Sequence, residues 1–541
     1  MKQLRFLAHL PITPALLALL VGSTGIGAHA DEVVPSRNMK LVGTNDLQSR
    51  STYQPTVHKY SLSRYILFAG HHPLGLQGEG HLPTPKILPS FNPLTRQNEL
   101  NGTSIVDVTD PRSPQYLFHL PVPNAPPNGQ GGGAQMVRVC DGSTLPIRDN
   151  KIYMLRTYAN SAHEIWDVTI PSSPVGVRTV AGGNPVIGAQ TGAPGALAGT
   201  HKSWWECDTG IAYIVGQRGN DGTDGWGPGN HIFIFDLSNP AKPMFLRDWA
   251  LDGQQPPHFT PGVPSIHGPI STGPADGAIA LAGATPERVY FAYGTGSNGV
   301  MQIVDRKKLL PPSFGGTGVT CGSISSTLTP PACTDFHTAE LGRLIMNPDN
   351  GAHTSFPIGK ITVPDFVTDT GNDGNNTTRD IVVVTSEATQ HFCSEFRHLT
   401  FLTDVTTEGR PQSIATAQVP ASEGDFCDIG GRFGPHATNE EFGPPFYQKL
   451  VFVSYFNAGV RAFDIRDPYN PQDVAHFIPN ITANTDYRCG PYQGDPNVCV
   501  RVIQTNNVAT DDRGFIYVVD RADTGLHILQ LTGDAIESIL R

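Results

Sequence analysis

The sequence predicts an all-β fold: a seven-bladed β-propeller of four-stranded antiparallel blades, closed by an N-terminal strand and carrying long loop insertions. Three observations lead there. A short phrase recurs, in which an apolar alternating strand ends in Asp and is followed by Ser/Thr, Pro and a second Pro. Its clearest copies are Ile105-Val-Asp-Val-Thr-Asp-Pro-Arg-Ser-Pro114, Ile165-Trp-Asp-Val-Thr-Ile-Pro-Ser-Ser-Pro174, Ile234-Phe-Asp-Leu-Ser-Asn-Pro-Ala-Lys-Pro243 and Ala462-Phe-Asp-Ile-Arg-Asp-Pro-Tyr-Asn-Pro471. Weaker copies centre on Asp305 and Asp404, and a degenerate seventh, Leu526-His-Ile-Leu-Gln-Leu, has Gln530 in the Asp place. Repetition at this spacing is the signature of a closed array. Second, a matching apolar strand precedes each copy: Tyr65–Gly70, Ile152–Arg156, Ile211–Gly216, Val289–Tyr293, Ile381–Thr385, Lys449–Phe456 and Phe515–Asp520. Third, Gly (58) and Pro (47) are abundant while charged residues are only 16%, which suits many short strands joined by turns.

The sixth unit shows one blade in full. His436-Ala-Thr-Asn-Glu opens an inner strand, and Lys449–Phe456 is a second strand rich in aromatic and β-branched residues. Asn457-Ala-Gly459 turns the chain, Val460–Ile465 is the third strand, and Val474–Ile478 the fourth. In the repeated phrase, Asp and Ser/Thr accept turn N–H groups, and Pro pre-sets φ where no ladder donor is needed. Met39-Lys-Leu-Val-Gly43 reads as a fourth strand without a blade of its own. It is expected to complete the last blade, closing the ring and leaving fewer free edges.

The repeats resemble those of the LVIVD-repeat family of secreted β-propellers over roughly 39–531, the insertions excepted. The resemblance implies fold and secretion; no single chemistry goes with it. A His-led inner strand followed by Asp464-Ile-Arg-Asp-Pro468 is also loosely similar to the selenium-binding-protein and methanethiol-oxidase propellers.

The N-terminus has a basic start, an apolar run at Leu16–Val21 and Ala28-His-Ala30 before Asp31. Residues 1–30 therefore read as a signal peptide cleaved near Ala30, and 31–541 as one exported domain, periplasmic or extracellular. Pro11 and Pro14 interrupt the apolar run, so no membrane span is expected. A net charge of −11 argues against nucleic-acid partners. Eight Cys in an exported chain imply disulfides, expected as Cys140–Cys207, Cys321–Cys333, Cys393–Cys427 and Cys489–Cys499. Insertions fall near 71–101, 216–230 and 306–352, the last placed between blades 4 and 5.

Histidine recurs where inner strands begin: His201, His267, His353 and His436, with His58 a further candidate in blade 1. Propeller topology aims these starts, and the turns between second and third strands, at one mouth of the central channel. Converging neutral imidazoles are transition-metal ligands, with copper the best match. His71, His72 and His391, in those turns, are weaker candidates. Arg156, Arg218, Glu387 and Arg521 end second strands on the same side and would either hold a carboxylate ligand or brace neighbouring blades. Three functions follow: capture of a small molecule or protein at the channel mouth, a copper-type oxidoreductase using the histidines, or an envelope scaffold. Asp221 and Asp224 lie in a Gly-rich loop that lacks the full calcium-loop pattern, and no Gly-x-Ser-x-Gly elbow supports serine hydrolysis.

Overall fold

The computed structural model describes residues 35–72, 89–122, 133–182, 197–218, 229–255, 260–274, 285–318, 336–363 and 378–540. The signal segment 1–30, the Cys321–Cys333 pair and the Asp221/Asp224 loop lie outside them.

Seven antiparallel sheets follow one another along the chain. Blade 1 is Thr52–Ser61, Arg64–His71, Gly102–Asp107 and Gln115–Pro121; blade 2 is Val137–Asp141, Ile152–Tyr158, Ala162–Asp167 and Val175–Gly182. Blade 3 is Ser203–Trp205, Ile211–Arg218, His231–Asp236 and Met244–Trp249. Blade 4 is Ile266–Ser271, Arg288–Tyr293, Val300–Asp305 and Glu340–Ile345. Blade 5 is Thr354–Thr362, Thr378–Thr385, Thr400–Asp404 and Gln412–Ala417. Blade 6 has Leu450–Ser454, Val460–Asp464 and Gln472–Phe477, and blade 7 has Thr505–Thr510, Phe515–Asp520 and Leu526–Leu531.

The ring closes as expected, and more firmly. Met39–Asn45 pairs with Leu526–Leu531 as the fourth strand of blade 7. Just before it, Ser36–Arg37 pairs with Phe477 and His476 on the outer edge of blade 6. One N-terminal segment thus joins two blades and covers two sheet edges.

The repeated phrase works as its residue types dictate. Asp107, Asp167, Asp236, Asp305, Asp404 and Asp464 each accept, through Oδ1, the N–H of the residue two positions on, at 2.8–3.1 Å. Thr109, Thr169 and Thr406 each accept an N–H from the first three residues of the second strand of the same blade (Tyr65, Ile152 and Asp380), at 2.9–3.1 Å. The phrase is a clip between the third and second strands of one blade.

Two expectations need correction. The inner strand of blade 6 is not a regular strand: His436 and Asn439 donate to Ser454 and Phe452, and only Thr438 makes a bridge, to Val453. The insertion placed between blades 4 and 5 lies inside blade 4. Glu340–Ile345 pairs with Val300–Asp305 as the fourth strand, so the excursion separates the third strand from the fourth. Glu340 and Arg343 sit on this strand where the repeated Pro pattern is absent, which hid it.

Three of the expected disulfides are formed: Cys140–Cys207, Cys393–Cys427 and Cys489–Cys499. The first ties the inner edges of blades 2 and 3 across a separation of 67 residues. Removing it by Cys140→Ala with Cys207→Ala is expected to cost about 4 kcal/mol through the larger entropy of the unfolded chain. Chemical denaturation of the oxidised double variant checks this; an unchanged midpoint would show that the pair does not constrain unfolding.

Candidate channel-mouth metal site

Each blade delivers one polar side chain to the axis at the start of its inner strand. In chain order these are Tyr53, Gln135, His201, His267, His353, His436 and Asn506. Contacts run round the ring. His201 Nδ1 meets Gln135 Oε1 at 2.5 Å, and its Nε2 lies 2.9 Å from His267 Nε2. The His267 and His353 rings are 3.7 Å apart between centroids, and those of His353 and His436 4.2 Å. His436 Nδ1 donates to the Asn506 carbonyl at 2.6 Å, and Asn506 Nδ2 donates to the Tyr53 carbonyl at 2.9 Å. The Tyr53 hydroxyl reaches inward to His201 Nε2 and His353 Nε2, 3.2 Å from each.

The four expected histidines therefore do meet. Tyr53 is the residue that sequence reasoning missed; His58 had been expected in that place. His58 sits further along the same strand and pairs with Asp141 at 3.1 Å. Setting Thr52-Tyr53 against Thr200-His201 would have found the register.

The hydrogen bonds of the ring fix where its lone pairs point. His267 Nδ1 faces the His353 carbonyl at 2.9 Å, and His436 Nδ1 faces the Asn506 carbonyl. A carbonyl only accepts, so both Nδ1 atoms carry hydrogen and both Nε2 atoms carry a lone pair. His201 Nε2 stands 2.9 Å from the lone pair on His267 Nε2. The one hydroxyl hydrogen of Tyr53 serves only one acceptor, and His436 Nε2 has no hydrogen-bond partner among the described residues. Protonation does not relieve this. Burial holds His267, His353 and His436 well below the usual imidazole range, and burial followed by the Lys202 charge brings His201 down to about 3. What is short at the centre of the ring is an electrophile.

Glu387 stands over the ring from the blade 5 turn. It lies 3.9 Å from His353 Nε2 and 3.7 Å from His436 Nε2. One donor atom each of His267, His353 and Glu387 falls within 4.8 Å of the other two. Arg432 holds the Glu387 carboxylate at 2.8 Å, and Arg521 approaches it at 3.7 Å. A cavity of about 390 Å³ opens above, lined by Tyr53, His201 and His267 at its floor and by Glu387, Arg432 and Arg521 on its wall. Further along the inner strands, Lys202 pairs with Glu440 at 3.2 Å, and Arg138 also pairs with Glu440. This ion triad backs the histidine layer on the side away from the cavity.

The other candidates are placed differently. His71 bonds Thr52 at 3.0 Å and Ser104 at 2.6 Å, inside blade 1. His72 is fully buried and its Nε2 accepts from Arg521 at 3.0 Å, so it orients Arg521. His391 bridges to Arg432 at the rim and is not a lining residue. Arg156 is a brace: it pairs with Glu164 at 2.7 Å and donates to the Leu120 carbonyl of blade 1 at 2.7 Å. Arg218 pairs through its backbone with Leu197 at a strand end. Glu423, Asp473 and His476 also cluster, but Arg461 fills that position, 2.8 Å from Glu423 and 3.1 Å from Asp473.

Burial of so many neutral imidazoles sets the acid stability. Nine histidines, among them His163 and His527 at about 4, are depressed with burial the largest cause. Their unfolded counterparts protonate near 6.5. The stability they contribute is complete above that pH and is lost as pH falls towards the folded values. Burial and the neighbouring Glu440 raise Glu441 to about 7, and burial also raises Asp208, Asp380 and Asp520, effects of opposite sign from four carboxyls against nine imidazoles. Urea midpoints are expected to fall steadily from pH 6.5 to pH 4.5; a flat profile would contradict the neutral, buried cluster.

Strand pairing makes the chain a seven-bladed β-propeller of four-stranded antiparallel blades. It is similar to a solved structure described as the Dos1 propeller, at 10% identity and a TM-score of 0.41, covering 92% of this chain and 96% of that one. No family model matches the chain, so the likeness to LVIVD repeats rests on the repeat residues alone. No curated protein sequence matches it. Among the described residues, no helix is long and apolar enough to cross a membrane.

Proposed function

We propose that this chain is an exported metalloprotein that binds one transition-metal ion, copper foremost, at the mouth of its propeller channel and presents it to a small molecule entering the cavity. The observation that carries the reading is the convergence of donor atoms: His201 Nε2 and His267 Nε2 stand 2.9 Å apart, and one donor atom each of His267, His353 and Glu387 lies within 4.8 Å of the other two. Metal–imidazole bonds are about 2.0–2.1 Å, so a single ion can touch both Nε2 atoms. The Nδ1 hydrogen bonds of His267 and His436 to the His353 and Asn506 carbonyls are the outer contacts that orient metal-binding imidazoles and set their tautomer. His353, His436 and Glu387 are within reach to complete the set. A donor set dominated by neutral imidazole suits copper by the ordinary affinity order.

Ligand capture at the mouth and copper-type oxidoreductase chemistry thereby become one reading, since the cavity opens onto the histidine floor. Bound there, the metal would supply a redox or Lewis-acid centre. His201, His267 and His353 hold the ion, Arg432 and Arg521 fix Glu387 beside it, and Lys202–Glu440 closes the layer behind. The disulfides and residues 1–30 support export, and the repeat phrase supports kinship with LVIVD-type propellers.

Metal analysis of the chain purified from an exporting host and reconstituted with copper or zinc tests the reading. About one equivalent of copper per chain is expected. Less than a tenth of an equivalent of any transition metal, before and after reconstitution, would overturn it.

A further inference from the structure

We propose that the Tyr53 hydroxyl oxygen is a ligand to the same ion as His201, His267 and His353, so that the centre holds one anionic oxygen beside its imidazoles; this inference rests on the metal reading above. Three observations carry it.

The first is how the chain aims the residue. In blade 1 the inner and second strands pair Thr52 with His71 and Gln54 with Gly70, and Tyr53 is the extra residue of a bulge between them. His267 and Asn506 are the extra residues of matching bulges in blades 4 and 7. A bulge re-aims one side chain out of the ladder. Where blade 4 turns an imidazole to the axis, blade 1 turns a phenol, the longest side chain of the ring. Its hydroxyl therefore reaches the histidines that open blades 3 and 5.

The second is spacing. Two atoms each about 2.0–2.1 Å from one ion stand about 2.8–3.0 Å apart at a right angle and about 3.3–3.4 Å apart at the tetrahedral angle. Tyr53 Oη lies 3.2 Å from His201 Nε2 and 3.2 Å from His353 Nε2, and His201 Nε2 lies 2.9 Å from His267 Nε2. These three edges join all four donor atoms, and all fall in that span. A hydroxyl donating to one acceptor stands most often about 2.7–2.8 Å from it. The Tyr53 oxygen instead keeps an equal and longer distance from two nitrogens.

The third is that packing does not need the hydroxyl. The Tyr53 ring, 1% exposed, is held by edge contacts to His72, His201 and His436, with centroids 5.0, 5.1 and 5.5 Å away. Phenylalanine would make the same contacts. The oxygen is what tyrosine adds, and it stands among the donor atoms.

Burial, the largest cause, holds the hydroxyl well above the usual phenol range, so the metal-free chain keeps its proton. A divalent ion on the oxygen takes that proton's place, and the proton leaves through the cavity to solvent. The oxygen then brings one negative charge to a set of neutral imidazoles. A hard anionic donor favours Cu(II) over Cu(I), so Tyr53 biases the centre towards the oxidised ion.

Resonance Raman spectroscopy on the copper-loaded full chain, made with ordinary and with ring-deuterated tyrosine, tests this. A visible charge-transfer band is expected, and excitation within it should enhance phenolate ring modes that shift on deuteration. Tyr53→Phe is expected to lose the band, to weaken copper binding at least about tenfold, and still to take up copper when the metal is in excess. Its Cu(II)/Cu(I) potential should rise. One equivalent of copper with no deuterium-sensitive band would overturn the inference and leave the metal reading standing, as would a band that persists in Tyr53→Phe. A chain that takes up no copper would overturn both. Should Tyr53→Phe fail to fold, the isotope comparison on the unaltered chain decides, since Tyr53 is the one phenol lining the cavity among the described residues.

Discussion

Replacing His267 and His353 together with alanine is expected to lower bound copper from about one equivalent per chain to below a tenth, because each ligand lost weakens a site by well over the ~10–100-fold that loss of an outer contact costs. The two ring centroids are 3.7 Å apart, and one nitrogen of each ring lies within 4.8 Å of the other and of the Glu387 carboxylate. Their backbones are tied into blades 4 and 5 independently of the imidazoles: His353 N–H donates to the Thr385 carbonyl at 2.7 Å, and Ile266 and Gly268, flanking His267, pair with Tyr293 and Ala292. The fold should therefore survive the change. Circular dichroism and metal analysis on the same sample check both halves. A folded double variant that retains a full equivalent of copper would show that the ring is packing, not ligation. His267→Gln with His353→Gln, which keeps bulk and hydrogen bonding, separates lost ligation from a cavity effect should the alanine variant unfold.

Glu387→Ala is expected to be the most destabilising single change at the mouth, by about 3–5 kcal/mol, because it leaves buried cations without their carboxylate. Arg432 sits 2.8 Å from Glu387, and Arg521 is held at 3.7 Å on the same oxygen. The loss should be larger than for Glu387→Gln, which keeps an acceptor for Arg432. Added copper should no longer rescue the alanine variant, since the charge that offsets the guanidiniums beside the ion is gone. Chemical denaturation with and without copper measures both effects. Equal stability of the alanine variant and the unaltered chain would mean that other groups compensate Arg432 and Arg521.

The fold was legible because the repeat is itself a local device. Asp accepting an N–H two residues on is a contact written in consecutive letters, and six copies of it place third strands without knowledge of the rest. Closure by Met39–Asn45 was legible for the same reason: an alternating strand with no partner nearby must find one elsewhere. Glu340–Ile345 was not, because its partner lies across a long excursion and it lacks the Asp–Pro phrase. The inner strand of blade 6 was over-read, since His436–Glu440 carries the letters of its siblings but bonds irregularly.

The histidine ring was half legible. Register alone aligned His201, His267, His353 and His436, because each leads an inner strand. Tyr53 was hidden because the fold repeats a position there and not a residue type. Arg156 and Arg521 looked equivalent in sequence, both ending second strands. Glu164 on the adjacent strand captures the first, whereas His72 from blade 1 turns the second towards the mouth. Such differences depend on neighbouring blades, which no single strand records.

The central claim is that one metal ion sits between His201, His267 and His353 at the channel mouth. X-ray anomalous scattering at the copper edge, from crystals of the reconstituted chain, tests it most directly. One strong peak is expected on the axis, about 2.0–2.1 Å from His267 Nε2 and at least one further ring nitrogen. A peak elsewhere on the molecule, or an ordered ring with no anomalous density in copper-soaked crystals, would contradict it.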